Sequence, residues 1–392
     1  MRLIGRLAGA DRTIQLTLDG SVVSDIVDID TKSDVLICPG LVDIQNNGYG
    51  GHDVRAPDVD QYTIQRLVAS LWKQGVTAVC PTVTTGPEGR IVQSLQAIAT
   101  ARKSDPLMER AIPCAHVEGP HLSAEDGPRG AHDLRFLRPP IVEEFRRWQK
   151  ASNGVVGIVT LAPELPGAVP YIKAIVASGV VAAIGHSAAD PADIGRAVSA
   201  GARLSTHLGN GCHAQIPRHP NYIWEQLADD RLMASFIADG HHLPPATFTA
   251  MLRAKGPDRS ILVSDSVALA GSAPGPHLGP MGAQLELSAD GRLSLAGTSL
   301  LAGAVRSLRE CLAWAVYGAG LNIGHAVAMA STNPSLLFRP AVLPRRSVQV
   351  GSSADLTLLR LDPDHKDIKV VATIVGGVAV HQISDAPIER YP

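Results

Sequence analysis

Four side chains, far apart along the chain, suggest one kind of chemistry: Glu118 in "HVEGP", His186 in "GHS", His207 in "THLGN" and Asp265 in "LVSDS". One carboxylate and two imidazoles suit Zn²⁺ or another borderline divalent ion (Fe²⁺, Co²⁺ or Mn²⁺), and three protein ligands leave a fourth position for water. Water on such an ion can have its pKa lowered to about 7, which supplies hydroxide at neutral pH. Asp265 follows the apolar run Ile261–Leu262–Val263. A carboxylate buried there is costly unless it is hydrogen-bonded or working. Beside a metal it could take a proton from water and deliver it to a leaving group. Taken singly, each residue has a plainer reading: a packed or solvent-facing histidine, or an aspartate that caps a helix or a loop. His132 in "RGAHD" could polarise a substrate carbonyl. His116, two residues before Glu118 on the same strand face, is either a supporting partner or a packed side chain.

The joint reading gains its force from position. The same phrase recurs eight times, an apolar β-branched run that stops in polar residues: 40–48, 75–85, 111–120, 154–164, 179–187, 202–210, 232–242 and 259–267. Short, nearly continuous apolar runs suit strands buried on both faces, as in a parallel sheet. Amphipathic segments lie between them. One, "DPADIGRAVSAG", opens on Asp190 before Pro191, which predicts a capped helix with proline in its first turn. Eight strand–helix units predict a (β/α)₈ barrel of the TIM type, an α/β fold whose strand ends all open onto one face. An open doubly wound sheet is the rival, but no glycine-rich phosphate loop follows the first strand. In a barrel Gln45, Asn47, Thr82, Thr84, Glu118, Glu164, His186, His207, Asp239 and Asp265 converge at one mouth.

The termini stand outside this pattern. Residues 1–38 and 346–392 read as short strands and turns, expected to pair into one small β-sandwich beside a barrel domain of 39–345. With 45% apolar and 18% charged residues, a large core can form. Lys plus Arg (35) nearly balances Asp plus Glu (37), which argues against nucleic-acid or membrane-surface binding. No run of eighteen apolar residues and no signal-peptide pattern occurs, so a cytoplasmic location is expected. Five scattered cysteines, with no CxxC pair, read as small buried hydrophobes.

The ordered set "PGLVDIQNNGYGG", "PTVTT", "HVEGPHLS…GAH", "TLAPE", "GHS", "THLGN", "IADGHH", "VSDS" and "LAGTSLL" resembles the N-acetylglucosamine-6-phosphate deacetylase family of the amidohydrolase superfamily, over nearly the whole chain. That resemblance implies the barrel with a terminal β-sandwich and release of acetate from an amino sugar phosphate. It implies one metal ion per subunit on Glu118, His186 and His207, with Asp265 as base and acid and His132 on the acetyl carbonyl. It further implies sugar-phosphate contacts from Asn210, Gly211 and His242. Arg218, reaching in from a neighbouring subunit, would make the working unit a homodimer. Many amidohydrolases carry His-x-His at the end of strand one to hold a second metal; here the place reads Gln45-Asn46-Asn47. Amides are poor Zn²⁺ ligands but orient water or substrate well, so a single metal is expected. Asn221, Tyr222 and Trp224 depart from the family pattern, which leaves the exact sugar and the need for its phosphate open. Other N-acyl amino sugars, N-acyl amino acids or cyclic amides remain alternatives, as does a non-catalytic sugar-phosphate binder. An isomerase or aldolase is disfavoured because Lys73 and Lys173 fall on predicted helices.

Overall fold

The structure, a computed structural model, describes residues 1–279, 284–298 and 300–389. Ser299 of "LAGTSLL" and the last three residues of the expected terminal domain lie outside them. Eight parallel strands follow in order around one sheet: β1 (Leu41–Asn46), β2 (Val76–Thr84), β3 (Ala115–Glu118), β4 (Val156–Leu161), β5 (Val181–Ile184), β6 (Leu204–Ser205), β7 (Met233–Ile237) and β8 (Ser260–Val263). The sheet closes just beyond the strand ends. Asp265 N–H donates to Gln45 O (2.9 Å) and Asn47 N–H to Ser266 O (2.8 Å). The expected (β/α)₈ barrel is present.

Most strands carry apolar residues on both faces because each face meets a separate core. Inside the barrel, Val42, Ile44, Ala78, Ile158, Ala183 and Ile261 pack together, and Leu337, Phe338 and Leu343 join this cluster from the segment beyond the barrel. Outside, the strands meet helices that turn one face inward. Helix Gln61–Trp72 is capped by Asp60 and buries Ile64, Leu67, Val68 and Leu71 at helical spacing. Helix Pro191–Ser199 begins as its sequence predicts, with a capping box between Asp190 and Asp193 and proline in the first turn.

The two chain ends build one eight-stranded, mostly antiparallel sheet. Val35–Pro39 lies in it between Arg2–Leu7 and Leu356–Asp362, so residues from both termini share a single ladder. The sheet curls until Val22 bridges Ser353, closing around Leu3, Ile14, Leu16, Leu356 and Ile374. A buried ion pair lies where this sheet meets the barrel. Asp355 accepts from Arg346 and from Arg110 Nε (2.7 Å), the latter just inside a barrel helix. An element absent from the sequence reading is a three-stranded meander after β8 (Gly275–Leu278, Gln284–Leu287, Leu293–Leu295). Its Leu285, Leu287 and Leu293 pack with Ala270 and against Tyr49.

Candidate active site

The mouth of the barrel brings Glu118, His186 and His207 together, and the backbone there is strained. Five non-glycine residues among those described have positive φ, and three of them are His186 (+51°), His207 (+29°) and Asp265 (+46°). A left-handed conformation outside glycine costs about 1–3 kcal/mol and persists only where surroundings enforce it. Here it turns each side chain off its strand end. Gly211 must also be glycine: at φ +55° its Cβ would lie 2.6 Å from His186 Nδ1.

Glu118, His186 and His207 are buried, and their ligating atoms lie within 4.8 Å of one another. Glu118 Oε1 is 3.2 Å from His186 Nε2 and 2.9 Å from His207 Nε2, and the two Nε2 atoms are 3.0 Å apart. Burial opposes ionisation of Glu118, but the two histidines beside it outweigh that cost and hold the carboxyl well below the usual range. The donor set can be tested against a cation. His186 Nδ1 faces the Pro128 carbonyl at 2.8 Å, and a carbonyl only accepts, so Nδ1 carries the proton. That tautomer turns the bare Nε2 lone pair toward the carboxylate and another imidazole. Lone pairs this crowded fit a positive ion between them.

His132 joins this group. Its Nε2 is 3.3 Å from His186 Nε2, and its Nδ1 is 2.8 Å from Thr85 Oγ1. Because His186 offers a lone pair, His132 Nε2 must be the donor, and Thr85 must donate its hydroxyl hydrogen to Nδ1. Burial pushes this imidazole well below the usual histidine range, so it is neutral. His116 lies deeper. Its Nδ1 donates to Ile44 O (3.0 Å), its Nε2 accepts from Thr160 (2.7 Å), and Thr160 accepts from Thr206 (2.7 Å). It is a packed, neutral partner of the barrel wall.

Asp265 Oδ1 accepts from Asn47 Nδ2 at 2.7 Å, and Gln45 Nε2 donates to Glu118 Oε1 at 2.9 Å. Both amides therefore serve carboxylates of the cluster. A register shift between Asp43 and Asn46 on β1 makes this possible. Val42 and Ile44 face the barrel interior, and the bulge changes the parity so that Gln45 and Asn47 face the site. Burial and the Glu118 charge, only partly offset by His207 and Asn47, push the Asp265 carboxyl up to about 8.

Among the expected sugar-phosphate residues, Asn210 and Gly211 lie on the turn after His207, with Asn210 N–H donating to His207 O (2.9 Å). His242 Nδ1 donates to Asp239 Oδ2 at 2.6 Å. The Arg218 side chain is exposed and forms no hydrogen bond or ion pair among the described residues. The family departures have structural work. Asn221 caps helix Tyr222–Ala228, accepting from Ile223 and Trp224 N–H, and its Nδ2 donates to Pro217 O (2.9 Å). Tyr222 Oη accepts from His213 N–H (2.9 Å), while His213 Nε2 meets Glu125 (3.0 Å), which ties this loop to the loop carrying His132. Trp224 is exposed.

Sequence reading missed Thr85 and gave no role to Glu164. Glu164 accepts from Ser187 Oγ (2.8 Å) and Ala188 N–H (2.7 Å) and so fixes the segment after His186. Its place at the end of a strand phrase was the available signal.

Residues 36–380 match the family model described as "Amidohydrolase family". The chain is 33% identical to N-acetylglucosamine-6-phosphate deacetylase of Bos taurus, covering 90% of this chain and 85% of that one. It is 31% identical to N-acetylgalactosamine-6-phosphate deacetylase of Shewanella sp. (strain ANA-3), covering 88% and 84%. A solved structure of N-acetyl-D-glucosamine-6-phosphate deacetylase from Mycobacterium smegmatis, an aspartate-to-alanine mutant in complex with N-acetyl-D-glucosamine-6-phosphate, superposes with a TM-score of 0.84 at 28% identity, over 97% of this chain and 99% of that one. Sharing fold and nearly full length with these proteins, the chain belongs to the N-acetylglucosamine-6-phosphate deacetylase family of the amidohydrolases.

Proposed function

We propose that this protein hydrolyses the acetamide of N-acetylglucosamine 6-phosphate to glucosamine 6-phosphate and acetate. The observation that carries the reading is the convergence of Glu118, His186 and His207 on one point, with Asp265 linked to it through Gln45, which accepts the Asp265 N–H and donates to Glu118. Glu118, His186 and His207 would hold one divalent ion; two imidazoles and one carboxylate suit Zn²⁺. Such an ion, when bound, supplies a Lewis acid that polarises a carbonyl and makes water acidic.

The chain's own residues move the protons. Asp265, oriented by Asn47, takes a proton from the attacking water and passes it to the departing nitrogen. His132 presents its Nε2–H, fixed by Thr85 behind it, to the carbonyl oxygen as negative charge develops there. Gln45 keeps Glu118 oriented. The phosphate is assigned to Asn210, Gly211 and His242, with Arg218 serving the pocket of a neighbouring copy in a homodimer; forked guanidinium donors suit a phosphate. A sugar phosphate does not cross a bilayer unaided, which supports a cytoplasmic site of action.

Acetate release should be measured with N-acetylglucosamine 6-phosphate, its galacto epimer, both sugars without phosphate, and N-acetyl amino acids. The proposal expects the first to have the highest kcat/KM. A higher value for an unphosphorylated sugar or an N-acetyl amino acid would overturn it.

A further inference from the structure

A buried acid that this reaction does not use lies directly behind the proton-transfer group. Asp43 sits on β1 with no exposure, and three donors converge on it. Ser264 donates its backbone N–H to Oδ1 (3.2 Å) and its hydroxyl to Oδ2 (2.5 Å), while Asn46 Nδ2 reaches Oδ2 at 3.2 Å. The Ser264 hydroxyl has a single hydrogen. Asp43, nearer than Gln45 O (3.3 Å) or Ser266 Oγ (3.2 Å), takes it. On the far side of Asp265, Ser266 donates its hydroxyl to Gly48 O (2.9 Å) and accepts from Asn46 Nδ2 (2.9 Å). Thus both neighbours of Asp265 in sequence are fastened to the end of β1. Its own N–H is held by Gln45 O, and its φ is +46°. Aspartate visits that left-handed backbone only occasionally, and holding it there has a cost in free energy.

We propose that Asp43 is a positioning residue for Asp265: with Asn46, Ser264 and Ser266 it clamps the strand-eight end in the left-handed turn that aims the Asp265 carboxylate into the site. The proposal rests on Asp265 being the proton-transfer group. Asp43 touches no reacting atom, and its effect passes through backbone geometry. A displacement of about 1 Å at a reacting group can cost on the order of 100-fold in rate.

The test uses Asp43→Asn, which keeps size but puts an amide donor against the Ser264 and Asn46 donors, and separately Ser264→Ala. Each is expected to lower kcat for N-acetylglucosamine 6-phosphate by about 10–100-fold. KM should stay within about twofold and metal content should match the wild type, because the loss arises in the chemical step. Ser205→Ala, which removes a buried hydroxyl that makes no hydrogen bond among the described residues, should leave kcat at the wild-type value. In an Asp265→Asn background, Asp43→Asn should lower the residual rate no further, because there is no carboxylate left to aim. An active wild type with both single variants at wild-type kcat overturns the positioning role alone, as does a loss of metal or a rise in KM that accounts for the defect. A wild type that releases no acetate from this sugar phosphate overturns the functional reading first, and the positioning role with it.

Discussion

Replacing Asp265 with asparagine should move stability and turnover in opposite directions. The amide introduced by Asp265→Asn would keep an oxygen to accept from Asn47 Nδ2, now at 2.7 Å from the carboxylate, so the turn should survive. The proton carrier would be gone, and kcat should fall by about 10²–10⁴-fold with the metal retained. Stability follows from linkage. Burial first, then Glu118, raises the folded carboxyl from 3.8 to about 8. A group raised in this way contributes stability that is whole below the unfolded value and is lost as pH rises through the folded one. At pH 7 the unfolded chain would ionise it while the metal-free fold keeps it neutral, a difference of about 3 pH units, or about 4 kcal/mol. Asparagine carries no such penalty. In chelator, the variant should therefore melt roughly 5 °C above the wild type at pH 7 for a chain of this length. The two should coincide near pH 4, and added metal should narrow the gap because a cation favours the ionised carboxylate. Calorimetry at pH 4, 7 and 8.5 with a parallel acetate assay reads both effects. A stability difference independent of pH, or a variant within tenfold of wild-type turnover, would refute the reasoning.

Gln45→His together with Asn47→His should raise bound divalent metal from about one to about two per chain on saturation, since imidazoles would replace amides beside Glu118 and Asp265; plasma-emission metal analysis decides. Thr85→Val should lower kcat about tenfold with metal content unchanged, because His132 loses the hydroxyl that fixes its tautomer; steady-state kinetics with metal analysis reads this. Asp355→Asn should destabilise the fold by roughly 3–5 kcal/mol, since Arg346 would be left buried without its carboxylate. Burial opposes ionisation of Asp355, but Arg346 and Arg110 outweigh it and hold the carboxyl down to about 2. Its contribution is therefore full above about pH 4 and disappears as pH falls through 2, which urea unfolding at pH 7 and pH 2.5 will show.

The barrel and its metal cluster were legible because they obey a local rule, an apolar run ending in a polar residue. Glu118, His186, His207 and Asp265 each close such a run, and the capped helix at Asp190 carries its own signal. The seam behind Asp265 follows no local rule. Asp43 sits within the apolar run "GLVDI", and its partner Ser264 is 221 residues away, so a hydrogen bond across the closing strands is invisible until the sheet is closed. The bulge that turns Gln45 inward was hidden for a related reason, since strict alternation on β1 would point it to the helices. Sequence also left the aromatic departures at Tyr222 and Trp224 ambiguous. Tyr222 latches a loop through His213, whereas Trp224 is exposed. The meander after β8 escaped because its alternation is short and its core, Leu285 with Leu287 and Leu293, is assembled from two separate strands.

If one cation, held by Glu118, His186 and His207 beside Asp265, makes this barrel a hydrolase, turnover must follow the loading of that cation. Titrating chelator-stripped protein with Zn²⁺ while following acetate release from N-acetylglucosamine 6-phosphate tests it most directly. Turnover should be absent at the start, rise linearly, and break at about one ion per chain. Full turnover in the stripped protein, or a rise that continues to two ions, would contradict it.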